Sequence, residues 1–82
     1  MYFVYVLESV AEGRVYVGFT KDIERRWKEH ARRGDWVLVY YEAYRVEEEA
    51  RARERALKMH GSVWRGLKGR LGVGKGTKDT WV

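Results

Sequence analysis

Five residues in this chain have the types and spacing to cut a phosphodiester: Tyr5 and Tyr16 in strand-like apolar runs, Arg26 and His30 four residues apart, and Glu54 in a helical row. Hydrolysis of that bond needs an activated water, stabilisation of charge on the phosphorane-like state and help for the leaving oxygen. Glu54 interrupts the otherwise apolar row Val46, Ala50, Leu57, and one carboxylate completed by waters suits Mg²⁺ or Mn²⁺. Arg26 can fork onto two phosphate oxygens. Tyr5 and Tyr16 are general-base candidates. An ordinary tyrosine pKa near 10 makes either one a poor base unless a cation or a metal-bound water assists. His30 can bind a phosphate, orient a tyrosine hydroxyl or act as a base. Each residue also has a plainer role. Glu54 can be a core-edge carboxylate paired with Arg26 or Arg53. Arg26 can be a solvated helical residue, His30 a structural one, and the tyrosines a stacked core pair.

The elements that must position these groups follow from periodicity. Residues 2–8 read as a strand, with Phe3, Tyr5 and Leu7 on one face and Tyr2, Val4 and Val6 on the other. Apolar residues on both faces predict a central, doubly covered strand. A turn at 9–13 and a second strand at 14–18 make a hairpin. A loop over 9–12 sets Glu8 opposite Gly13 and hence Tyr5 opposite Tyr16, on one face of the sheet. Thr20 or Asp22 can cap a helix over about 21–33, with Gly34 as its stop. Its buried stripe reads Ile23, Trp27, Ala31. Arg26 and His30 flank that stripe, whereas Arg25 points about 100° away. A third strand is expected over 36–44 and a second helix over 46–60. Ser62 can cap a third helix whose apolar side is Val63, Trp64, Leu67 and Leu71. From Gly72 the tail lacks periodicity, with Trp81 as an anchor. The order β-β-α-β-α-α predicts an α+β fold, a three-stranded antiparallel sheet flanked by helices, within one domain over 1–82.

Composition narrows the function classes. The 82 residues carry net charge +5, are 45% apolar and 15% aromatic, and include no Cys, Pro, Asn or Gln. That apolar content argues against disorder, and zero Cys excludes disulfides and thiolate metal sites. No apolar run approaches the roughly 20 residues of a membrane span, and no signal peptide is visible, so a soluble, cytoplasmic protein is expected. Dense charge with no Asn, Gln or Cys matches a thermophile pattern. The positive charge favours a polyanionic partner.

In sequence order, Val4-Tyr5-Val6-Leu7, Val15-Tyr16-Val17-Gly18, the run from Asp22 to His30 and the run from Glu49 to Lys58 resemble the blocks of GIY-YIG nuclease domains. The chain resembles particularly the small stand-alone type, and it also looks like the nuclease half of excision-repair incision proteins. The resemblance spans residues 2 to about 58. Its first motif keeps only the tyrosine, Val17 stands for Ile, and the asparagine that some branches add is absent. It implies a metal-dependent DNA endonuclease with metal at Glu54, Arg26 stabilising the transition state, and Tyr5 or Tyr16, with Tyr16 favoured, as base. Gly18 would let backbone or DNA approach closely. Lys58, one turn beyond Glu54, would reach a phosphate or shield that carboxylate. Arg32, Arg33, Arg65, Lys68 and Arg70 are candidates for tracking the phosphate backbone. No groove-reading helix is visible, so contacts to backbone and shape are expected, with structured or damaged DNA as substrate and repair as context. Two competing expectations are a binding module that does not cut and a nuclease subunit that needs a protein partner for specificity.

Overall fold

The computed structural model describes residues 1–9, 11, 13–32, 34 and 36–72. They form β1 (Tyr2–Ser9), β2 (Arg14–Thr20), α1 (Ile23–Ala31), β3 (Val37–Tyr44), α2 (Glu47–Met59) and α3 (Gly61–Leu71). The sheet is antiparallel in the order β2-β1-β3, so the strand that is apolar on both faces is central, as expected. Among the described residues no helix is long and apolar enough to cross a membrane.

Sheet alternation divides the interior into two sides. Val4, Val6, Val15 and Val17 are buried on one face and pack with Ala50 and Leu57 of α2 and with Trp64 and Leu67 of α3. Burying such side chains stabilises the fold by about 1.5–3 kcal/mol each. Tyr5, Leu7, Tyr16 and Gly18 belong to the opposite face. The α3 apolar side is the expected one. The helix ends in a glycine cap at Gly72, whose φ of 70° is left-handed.

The hairpin register differs from expectation by two residues. Ser9 pairs with Arg14, so Tyr5 lies opposite Gly18 and Tyr16 lies opposite Leu7. Gly13 takes a left-handed φ of 64° in the turn, so β2 starts only at Arg14. A two-residue slip preserves sidedness, so both tyrosines still share one face.

Other boundaries move too. Asp22 caps α1 by accepting from the Arg25 N–H at 3.0 Å, while Thr20 Oγ1 accepts from the Asp22 N–H at 3.1 Å. α1 is shorter than expected and has no fully buried residue. Ile23, Arg26, Trp27 and His30 are half-buried, and Ala31 is exposed. The buried edge is therefore i, i+3, i+4, i+7, not the predicted Ile23, Trp27, Ala31 stripe. Val46 is extended at the N-cap of α2 and 43% exposed, so it drops out of the apolar row. His60 alone separates α2 from α3, and Ser62 sits inside the helix it was expected to cap. Trp36 precedes β3. Arg33 and Trp81 lie outside the described residues.

One bulge reverses part of β3. Val6 pairs with Tyr40 but Leu7 pairs with Leu38, leaving Val39 as the extra residue. Tyr40, Glu42 and Tyr44 then pair with Val6, Val4 and Tyr2 and share the valine face. Glu42 becomes a hub there. It accepts from Tyr40 and Tyr44 hydroxyls at 2.6 Å each and from Arg53 Nε and Nη2 at 3.0 Å. Arg53 is on α2, so this bidentate pair ties β3 to the helix bearing Glu54.

Candidate active site

On the tyrosine face, aromatic rings converge from three elements. The Tyr5 and Tyr16 rings stack at 5.9 Å between centroids. His30, from the last turn of α1, lies 4.9 Å from the Tyr16 ring and 6.2 Å from that of Tyr5. Trp36, which sequence reasoning did not assign, meets the Tyr16 ring edge-on at 6.5 Å and that of His30 at 6.4 Å. Its signal was weak, because an aromatic residue just ahead of a strand reads as ordinary core.

Gly18 makes the tyrosine pair possible. A Cβ there would overlap the Tyr5 hydroxyl and come within 2.6 Å of Tyr16 Cε1. The glycine thus serves close packing of the two rings, a more specific role than the one expected of it. Gly18→Ala is expected to destabilise the fold by about 2 kcal/mol through overpacking, read as a lower urea midpoint with an unchanged slope. A midpoint equal to wild type would show that the rings have room.

The two tyrosines are not equivalent. Tyr5 is 1% exposed, whereas Tyr16 is half-buried. Burial pushes the Tyr5 hydroxyl well above the ordinary tyrosine range. The adjacent Tyr16 and the charge of Glu54 add to that rise, while Arg26 opposes it. Tyr5 therefore keeps its proton, and Tyr16 is the more exposed of the two.

Arg26 and Glu54 are both near enough to act electrostatically on Tyr5. The Arg26 side chain is 43% exposed and 3.6 Å from Glu29, whereas Arg25 is 78% exposed. Of the two, Arg26 is the one whose charge acts on Tyr5. Glu54, with a side chain 20% exposed, pairs with Lys58 at 3.2 Å, not with Arg26 or Arg53. Lys58 Nζ in turn lies 6.0 Å from the centre of the Tyr16 ring. Tyr5, Tyr16, His30, Arg26, Glu54 and Lys58 therefore form one neighbourhood built by β1, β2, α1 and α2.

The remaining basic candidates are dispersed. Arg32 is exposed at the end of α1, and Arg65 and Lys68 belong to α3, whose Trp64 and Leu67 pack in the valine-face core. Arg70 donates to the Tyr40 hydroxyl at 3.4 Å and covers its ring at 5.8 Å.

Among the described residues, no three His, Cys, Asp or Glu side chains come close enough together to enclose a metal ion. A single partly exposed carboxylate leaves most coordination positions to water and phosphate oxygens. That fits a hard, well-hydrated divalent cation such as Mg²⁺ or Mn²⁺ and does not fit zinc.

A family model described as the GIY-YIG catalytic domain matches residues 1–65. No curated protein and no solved structure shows significant similarity to the chain.

Proposed function

The chain belongs to the GIY-YIG nuclease family, and from that premise we propose a divalent-metal-dependent DNA endonuclease that uses the tyrosine-face cluster as its active site. The family is one of nucleases acting on DNA and generally using divalent metal ions. The observation that carries the assignment is the convergence of Tyr16 with His30 at 4.9 Å and with Lys58 at 6.0 Å, beside Glu54.

Division of labour follows from exposure and charge. Tyr16 is the general base, because Tyr5 is buried and holds its proton. Tyr5 orients Tyr16 by stacking against its ring at 5.9 Å. His30, against the Tyr16 ring, accepts the proton or steers the attacking water. Arg26 places a fixed positive charge where negative charge builds on the phosphoryl oxygens, and its fork matches two of them. Glu54 would hold the metal, with Lys58 exchanging its carboxylate contact for a phosphate when substrate arrives. The ion supplies Lewis-acid polarisation of the phosphate and stabilisation of the leaving oxygen.

Structured or damaged DNA is the substrate class we favour over a fixed sequence, with repair as the setting. The support is that, among the described elements, the positive charge comes with none shaped to read base edges. Incubating the protein with plasmid, branched and abasic DNA in Mg²⁺, Mn²⁺ or EDTA tests the proposal. Nicking with either metal and none in EDTA is expected. Binding without metal-dependent nicking on any substrate would reduce the chain to a binding module, or to a subunit awaiting a specificity partner.

A further inference from the structure

Two surface clefts adjoin α1, and their charge separates them. The larger, about 510 Å³, balances Arg25, Lys28 and Arg32 against Asp22, Glu24 and Glu29. The smaller, about 440 Å³, lies where the end of β2, the start of α1 and α2 meet. It sets four cations, Lys21, Arg25, Arg26 and Arg51, against two carboxylates, Asp22 and Glu29. Its lining includes Arg26, the α1 residue whose charge reaches Tyr5, while Phe19 lies on the valine side of the β2 edge.

Resting on the nuclease reading, we propose that this smaller cleft holds the DNA backbone next to the scissile phosphate, with Lys21 and Arg51 as the phosphate contacts beyond Arg26. The α1 C-terminus and α3, where the sequence had placed such contacts, are not the path. Arg51 is well prepared for the role. Its guanidinium lies 4.4 Å from the centre of the Phe19 ring, which fixes the fork while leaving its edge to donate. Lys21 is exposed and sits 5.9 Å from the centre of the Tyr2 ring. Tyr2 stacks on Phe19 at 6.2 Å, so both cations are carried on one aromatic shelf.

The carboxylates in and beside the cleft do not close it to phosphate. Arg51 pairs with Glu47 at 2.8 Å and Arg25 with Glu29 at 3.2 Å, both on exposed side chains. Exposed pairs of this kind contribute about 0–1 kcal/mol and exchange readily for a phosphate. Glu29 is shared by Arg25 and Arg26, which leaves surplus positive charge at the cleft floor.

The test is fluorescence anisotropy of a labelled 20-base-pair duplex in EDTA, over a range of salt concentrations, so that binding is read apart from cleavage. The Lys21→Ala/Arg51→Ala variant is expected to bind about 10-fold more weakly. Its salt slope should fall by about 0.9 for each phosphate contact removed. Arg65→Ala/Lys68→Ala should bind within about 2-fold of wild type. Should the Arg51 change impair folding, Lys21→Ala alone is expected to weaken binding about 3-fold with a shallower slope. Cleft variants with wild-type affinity and slope, or a larger loss from the α3 variant, would overturn the proposal. Binding through the cleft without metal-dependent cutting would defeat the nuclease reading and leave the cleft standing. Cutting with unchanged binding by the cleft variants would defeat the cleft alone.

Discussion

Glu54→Ala is expected to slow DNA cleavage by about 10³-fold while the protein still folds and binds DNA. Glu54 is the one carboxylate of the tyrosine-face cluster, and its side chain is 20% exposed. Truncation at this mostly buried position lowers stability modestly, and the freed Lys58 ammonium can turn to water. Electrostatic groups that act only as charge builds in a transition state are typically worth about 10²–10³ in rate each, and a metal ligand belongs at the upper end. Single-turnover nicking in Mg²⁺ checks the rate, and anisotropy in EDTA checks binding. Cleavage at wild-type rate by Glu54→Ala would remove this residue from the mechanism. Intact binding separates the result from simple unfolding.

Glu42→Ala should give the largest loss of stability, about 3 kcal/mol, or roughly 10–20 °C in melting temperature. The side chain is only 14% exposed and receives Tyr40, Tyr44 and both donors of Arg53. Removing it strands the Arg53 guanidinium beside a partly closed interface. Because Arg53 is 30% exposed and regains some water, the figure is below that of a fully buried pair. The effect must depend on pH, with signs fixed by the shifts. Burial opposes ionisation of Glu42, but the donors from Arg53, Tyr40 and Tyr44 outweigh it and hold its pKa below the ordinary value. Its contribution is therefore complete above the ordinary carboxylate range and is lost as pH falls through the lowered value. Tyr44 moves the other way. Burial, reinforced by its bond to Glu42, raises it to about 12. Its contribution is complete below the ordinary tyrosine pKa and is lost as pH rises toward 12. Thermal melts of wild type and Glu42→Ala should differ most near neutrality and converge toward both extremes. A gap independent of pH would mean the network is not ionic.

Hydrophobic period made the architecture legible. The double-faced apolar run of β1, the stripe of α3 and the helix-breaking glycines determine element order, and the antiparallel sheet follows from it. The site was legible as a set of types, because a lone Glu in an apolar helical row and two tyrosines of the same sidedness carry a signal. Register was not legible. Whether Ser9 or Glu8 closes the hairpin depends on the conformation of the turn, in which Gly13 takes a left-handed φ. The inequality of the tyrosines also escaped, since exposure depends on α1 and α2 closing around the sheet. Glu42 was missed for a related reason. Before the bulge is known, its alternation assigns it to the wrong face, and one Glu on a short strand resembles a solvated residue.

The extra residue in β3 gives that strand a reading phase. Downstream of Val39, sidedness depends on counting, not on composition. Deleting Val39 would only remove the bulge and leave Tyr40, Glu42 and Tyr44 opposite Val6, Val4 and Tyr2, whereas deleting Tyr41 with the bulge kept would send Glu42 and Tyr44 to the tyrosine side. Point substitutions along β3 are therefore graded in effect, whereas a single-residue deletion beyond the bulge acts as a frameshift in three dimensions. The length of this strand is a tighter constraint on descendants of the chain than the identity of most residues within it.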